Sequence, residues 1–217
     1  MEKRRLGSSQ LEVSVLGLGC NNFGMKIDLD ATRAVVEAAL DVGIDFFDTA
    51  DLYGGTRSES FLGEVLEGRR SSVRIATKFG GLARSRGSQD GGWGRREAIL
   101  EAAEASLARL RTDFIDLYQI HFPDPSTPID ETLAALDELR RSGKVREIGC
   151  SNFSLARLKA SHDQKGRPRF ASLQNEWSLL RREVEGELVP HCETYGIGFL
   201  PYFPLASGVL TGKYRRG

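Results

Sequence analysis

Seven short apolar runs recur along the chain, separated by stretches whose apolar residues fall at helical spacing. Such alternation confines a chain to a parallel sheet with crossover helices, because parallel neighbours need a long return connection. The runs predict strands over 15–20, 44–47, 73–77, 114–120, 145–150, 170–173 and 197–202. The first is expected to be buried. Before it, Arg4 to Gly7 and Leu11 to Val15 flank Ser8-Ser9-Gln10 and predict an N-terminal β-hairpin.

The intervening helices carry start and stop signals. Asp30 is the expected N-cap and Gly43 the expected C′ residue of a helix over 30–42, with Val35, Val36, Ala39 and Leu40 on its apolar face. Phe61, Leu62, Val65 and Leu66 mark a second helix, and Ile99, Ala103, Leu107 and Leu110 a third. A polar, glycine-rich loop is expected over 80–93. Thr127 before Pro128 predicts a hydroxyl cap for a helix bearing Ile129, Leu133, Leu136 and Leu139, which Gly143 ends. Another helix runs from about 155. A helical stretch over 183–195 is either started or interrupted by Pro190.

A closed barrel and an open doubly wound sheet both satisfy this pattern, and the polar residues choose between them. Nearly every run ends in chemically capable residues: Gly19-Cys20-Asn21-Asn22, Asp48 to Tyr53, Lys78, His121, Ser151-Asn152, Gln174-Asn175-Glu176 and Tyr202. A barrel places its active site at the C-terminal ends of all its strands, whereas an open sheet concentrates its site at one switch point. The ring of polar groups favours the (β/α)8 barrel. The phrase GLGCNN at 17–22 is not a dinucleotide fingerprint, because Asn22 stands at the third glycine position and no helix opens there.

Composition narrows the function. Formal net charge is zero over 217 residues, which gives no footprint for nucleic acid or a polybasic membrane anchor. No apolar stretch approaches the ~20 residues that cross a bilayer, and no signal peptide is visible. Three widely spaced cysteines, Cys20, Cys150 and Cys192, argue against a disulfide framework and for a reducing, cytoplasmic setting. The three histidines lack metal-ligand spacing, so no metal is expected.

Four of the strand-end residues form a chemical set. Reduction of a carbonyl leaves an alkoxide that needs a proton. A free tyrosine, with a pKa of about 10, is a poor acid near neutrality unless a cation stabilises its phenolate. Lys78 is positioned in sequence to do this for Tyr53, and Asp48 to hold Lys78. His121 either orients the carbonyl oxygen or helps relay the proton. Each residue alone has a blander reading as turn, packing or solvated residue; their joint appearance on consecutive strand ends outweighs it.

The stretches DFFDTADLYG (45–54), ATKFG (76–80), DLYQIH (116–121), GKVREIGCSN (143–152), QNEWSLL (174–180) and PYFPLASGVLTGKY (201–214) resemble the aldo-keto reductase family, in family order and over nearly the whole chain. The resemblance implies an NADP(H)-dependent reduction of an aldehyde or ketone, with Asp48, Tyr53, Lys78 and His121 as catalytic residues and Tyr53 as general acid. It implies that Ser151, Asn152 and Gln174 hold the nicotinamide amide and that Tyr202 stacks on its ring. Phe203, Pro204, Leu205, Ala206, Ser207 and Gly208 would follow the pyrophosphate, with Lys213 nearby, and Gly19 and Cys20 would lie beside the cofactor. Phe23, Trp93 and Phe122 are candidates for the substrate wall, with ordinary packing as the alternative. Tyr53 and His121 would also touch substrate.

Family members continue for roughly a hundred residues more, in keeping with an ordinary ~250-residue barrel. Residues 1–217 are therefore expected to be a single, C-terminally incomplete barrel domain that lacks the eighth β/α unit. The basic residues Lys213, Arg215 and Arg216 are expected to form a solvated tail. Two further readings stay open: a cofactor-binding regulatory protein like the potassium-channel β subunits, and an inactive fragment.

Overall fold

The computed structural model describes residues 1–87 and 90–214; Arg215 and Arg216 lie outside the described residues. An antiparallel hairpin comes first, β1 (Lys3–Arg5) with β2 (Glu12–Ser14), in the register Arg4 opposite Val13. Seven parallel strands follow: β3 (Gly17–Gly19), β4 (Phe46–Asp48), β5 (Arg74–Phe79), β6 (Ile115–Ile120), β7 (Val145–Ser151), β8 (Ser172–Glu176) and β9 (Gly198–Tyr202). They pair strictly in chain order, as the strands of a (β/α) barrel do. The crossovers carry α1 (Leu29–Asp41), α2 (Arg57–Val65), α3 (Gly81–Ser85), α4 (Arg96–Leu110), α5 (Ile129–Arg141), α6 (Leu155–His162) and α7 (Leu188–Tyr195).

The two faces of the sheet part company by the two-residue period of a strand. Phe47, Ile75, Tyr118 and Ile148 face the helices and join the main core with Val36, Leu62, Ile99, Leu107 and Leu136. Phe46, Ala76 and Leu117 point the other way and pack with Leu6, Leu11 and Val13 of the hairpin. The hairpin is tied to both flanks of the sheet. Ser14 N–H donates to Asp45 Oδ1 at 2.9 Å, and Ser8 N–H donates to Gly196 O at 2.6 Å. It therefore caps the inner face at the N-terminal ends of the strands. Two residues further along each strand, on that same inner face, stand Asp48, Lys78 and Gln119.

Several expectations are corrected. The first strand is an edge, not a buried run: Val15 and Leu16 are exposed, because β3 pairs only with β4. The N-cap of α1 is Asp28, whose carboxylate accepts from Ala31 N, and Asp30 sits in the first turn. Val35 of that helix faces outward. The loop over 80–93 begins with the short helix α3. Thr127 does not cap α5; its hydroxyl donates to Asp124 Oδ2 at 2.9 Å. Strand β8 lies later than the apolar run 170–173, because Phe170 packs against Phe153 while Gln174, Asn175 and Glu176 pair with β9. Pro190 falls in the first turn of α7 and so belongs to its start.

Candidate active site

Lys78 is the hub of the site. It is fully buried at the C-terminal end of β5, and its ammonium donates to Asp48 Oδ2 at 2.7 Å and to the carbonyl of Thr49 at 2.9 Å. Its third direction is the Tyr53 hydroxyl, 3.4 Å away. Tyr53 opens a 3₁₀ turn, Tyr53–Thr56, directly after β4. Its ring meets the imidazole of His121 edge-on, with centroids 5.8 Å apart. The four residues proposed from sequence as a chemical set are thus brought together.

Burial of the ammonium lowers the Lys78 pKa, but the charge of Asp48 and the contact with Tyr53 outweigh it, and the net shift is upward. Lys78 stays protonated. The Tyr53 pKa is also raised, against the sequence expectation: burial disfavours the phenolate most, Lys78 pulls down, and Asp48 pushes up again. The main reason is burial of the phenol; the shorter Lys78–Asp48 contact adds to it by presenting Tyr53 with a compensated pair rather than a bare cation. Tyr53 is therefore a neutral phenol carrying the proton an acid must carry. His121 is held neutral. Burial first, then the charges of Lys78 and Arg84, pushes its pKa down to about 3. Its Nδ1 is buried and unpartnered.

Gln119 was missed from sequence. Its Nε2 donates to Asp48 Oδ1 at 3.1 Å, so the Asp48 carboxylate is held on both oxygens. The signal was available: Gln119 precedes His121 by two residues, the spacing that puts two side chains on one face of a strand, and it is the register partner of Lys78.

The next three strands continue the ring. Ser151 Oγ donates to the carbonyl of Gln174 at 2.8 Å. Asn152, at φ 60°, donates from Nδ2 to the carbonyl of His121 at 2.9 Å, and its Oδ1 accepts from the Tyr202 hydroxyl at 2.9 Å. Gln174 is buried, and among the described residues its side-chain amide bonds to nothing. Beyond Tyr202, Phe203, Ala206 and Ser207 all adopt positive φ, as does Gly208. That is a costly conformation for residues with a Cβ, and within the stretch Ala206 N–H donates to Phe203 O and Gly208 N–H to Leu205 O. Pro204 and Leu205 are exposed within this stretch, and Lys213 is exposed beyond it. Gly19 pairs with Asp48, and a side chain added at Gly19 would meet open space. These features suit a nucleotide laid across the ends of β7–β9: a free amide, a ring, and an exposed turn of positive-φ residues. Cys20 is different: its thiol is fully buried, close enough to Asp48 and Lys78 to feel their charges, and burial most of all pushes its pKa well up.

Trp93 and Phe122 line an open hollow of about 500 Å³ beside His121. Phe122 stacks on His121 with ring centroids 4.5 Å apart. Phe23 sits in the main core, 2% exposed, away from this wall. The wall is braced by Asp124. Its carboxylate accepts from the backbone N–H groups of Gly92 (2.8 Å) and Gly94 (2.6 Å), from Ser126 N–H, and from the hydroxyls of Ser126 and Thr127. Trp93, between those glycines, donates from its indole to Phe122 O at 2.9 Å. Gly91 must be glycine here: its φ is 94°, and a Cβ would lie 2.2 Å from Asp124 Oδ1. Among the described residues no three His, Cys, Asp or Glu side chains are grouped to hold a metal. No helix among them is long and apolar enough to cross a membrane, and all three cysteines are unpaired.

Comparison with known proteins agrees with this geometry. The chain is 39% identical to a probable aldo-keto reductase 1 of Glycine max, over 96% of this chain and 61% of that protein. It is 36% identical to a probable voltage-gated potassium channel subunit beta of Oryza sativa subsp. japonica, over 100% of this chain and 68% of that one. Among solved structures, the holo form of the aldo-keto reductase AKR11C1 from Bacillus halodurans superposes with a TM-score of 0.87 at 36% identity, covering 100% of this chain and 70% of that chain. The chain thus spans between about three fifths and seven tenths of the length of these relatives. The model of the Aldo/keto reductase family matches residues 15–217. With the sheet order and site geometry in accord, the chain belongs to the aldo/keto reductase family.

Proposed function

We propose that this chain carries the catalytic half of an NADP(H)-dependent reductase that converts an aldehyde or ketone to an alcohol. The observation that carries the reading is the Asp48–Lys78–Tyr53 line beside a neutral His121. Bound NADP(H) would supply the hydride. Tyr53 gives its hydroxyl proton to the carbonyl oxygen, and the phenolate left behind is stabilised by Lys78 moving closer than 3.4 Å. Asp48, fixed by Gln119, keeps Lys78 protonated and aimed. His121, uncharged, orients the carbonyl oxygen without competing as an acid.

Ser151, Asn152 and Gln174 would hold the carboxamide, Tyr202 the ring, and Phe203 to Gly208 with Lys213 the phosphates; Gly19 and the Cys20 backbone would border the cofactor. Trp93 and Phe122 wall the substrate. The seven strands, paired in chain order, fit a single barrel domain over residues 1–217. Unpaired cysteines suit a cytoplasmic setting.

Likeness to probable channel β subunits favours a second reading, a cofactor-binding regulatory protein. Following NADPH consumption by the full chain with a panel of aldehydes and diones separates the two. Turnover is expected; tight NADPH binding without turnover on any of them would favour the second reading.

A further inference from the structure

The hollow beside His121 is cationic as well as aromatic. Arg84, from α3, and Arg157, from the first turn of α6, both border it. The Arg84 guanidinium lies over the Phe122 ring, 4.3 Å from its centroid, and the opposite partner of that ring is His121. Arg157 makes one long contact, Nη1 to the carbonyl of Asp124 at 3.5 Å. Among the described residues neither guanidinium forms an ion pair. The other bordering groups are Trp93, Phe122, Pro123, Pro125 and Asn152, so among the described residues no carboxylate borders the hollow. Asp124, beside Pro123 and Pro125, spends its carboxylate on five donors inside the loop.

Two unpaired guanidiniums on an aromatic wall, separated from His121 by the Phe122 ring, form a receptor for an anion with a flat apolar body. Guanidinium matches carboxylate in a forked, charge-assisted geometry, and the apolar groups of Trp93, Phe122, Pro123 and Pro125 border the planar part. We infer that the substrates of this site are carbonyl compounds that carry a carboxylate a few bonds from the C=O, held by Arg84 and Arg157 while Trp93, Phe122, Pro123 and Pro125 border the body between. This rests on the reductase reading for turnover, but not for binding. The positive charge of Arg84 already reaches His121, so an anion docked there would also ease the charge around the imidazole.

The test compares 4-carboxybenzaldehyde with its neutral isostere 4-formylbenzamide as substrates of the full chain with NADPH. The carboxylate is expected to be preferred by about tenfold or more in kcat/KM, through KM. The preference should shrink with added salt. Arg84→Met and Arg157→Met, both exposed surface changes, should each cut the ratio several-fold. Equal kcat/KM for the two aldehydes, or a ratio untouched by both substitutions, would overturn the inference. If neither aldehyde is reduced, the reductase reading fails on its own. Calorimetric titration with terephthalate against terephthalamide then decides the anion site: terephthalate binding that weakens in Arg84→Met upholds it, and equal or absent binding of both overturns it.

Discussion

Lys78 donates to Asp48 at 2.7 Å but stands 3.4 Å from the hydroxyl of Tyr53. The ammonium is thus bound to one partner and available to the other. Burial, more than this asymmetry, keeps Tyr53 a phenol before reaction, and the short contact makes Asp48 the residue that keeps a charge in a fully buried place. Asp48→Ala removes the carboxylate that, among the described residues, alone pairs with Lys78, and leaves that charge uncompensated. Breaking a buried pair on one side costs about 3–5 kcal/mol. We expect a drop of that size in denaturant-unfolding stability, and recovery of much of it in the double variant Asp48→Ala, Lys78→Met. No recovery would show that the pair is not what the lost stability reports.

Asp116 gives the contrasting case at the other end of the sheet. It is fully buried, accepting from Arg70 Nη2 (2.6 Å), Arg146 Nη1 (2.7 Å) and Ile75 N–H (3.0 Å). Asp116→Ala should lose about 3 kcal/mol. The folded fraction should keep its rate of carbonyl reduction, since none of these partners touches the site. A kcat loss exceeding the loss of folded protein would contradict this division.

Asp51 sets a pH dependence. Burial first, with Glu59 adding to it and the Leu82 N–H opposing, raises its pKa to about 7. The folded state therefore holds a proton that the unfolded chain has released between the ordinary aspartate value and about 7. The stability it contributes is present in acid and lost as pH rises through 7. His121 runs the other way: its folded pKa is depressed, so its contribution is present above about 6.5 and lost as pH falls toward about 3. Asp51→Asn keeps an acceptor for Leu82 and removes the first slope. The variant should gain on the wild type by about 2 kcal/mol between pH 5 and pH 8. A pH-independent difference in unfolding free energy would refute the assignment.

The Asp124 brace should be visible in the substrate wall. Asp124→Ala removes five hydrogen bonds and frees the Gly92–Gly94 turn. In a Trp177→Phe background, where Trp93 is the sole indole, its emission should move to the red as the ring is exposed. KM for an aromatic aldehyde should rise several-fold, and stability should fall by about 1–3 kcal/mol. Unchanged Trp93 emission would show that the loop holds without the carboxylate.

The sequence disclosed what strand periodicity and chain order control. Asp48, Lys78 and His121 stand out because each ends an apolar run, and a parallel sheet in chain order forces such ends together. Gln119 obeys the same two-residue step and was readable in principle. Strand β8 was misplaced because backbone pairing is indifferent to the polarity of Gln174, Asn175 and Glu176. Choosing Asp30 over Asp28 as the cap of α1 is an error of local geometry, as two acids compete for the same N–H groups. Arg84 and Arg157 were not legible as a pair. They come from separate crossovers, and only the docking of α3 and α6 around Phe122 sets them on one hollow. Nor was the direction of the Tyr53 shift legible, since it depends first on how deeply the fold buries the phenol and then on the charges of Lys78 and Asp48.

The central claim is that Tyr53 is the acid. Single-turnover reduction by Tyr53→Phe, with NADPH affinity measured on the same sample, tests it most directly. The ring, its edge contact with His121 and the cofactor surface all survive this change, so only the proton is lost. The chemical step should slow by about 10²–10⁴-fold with NADPH binding retained. Equal single-turnover rates in variant and wild type would contradict the claim.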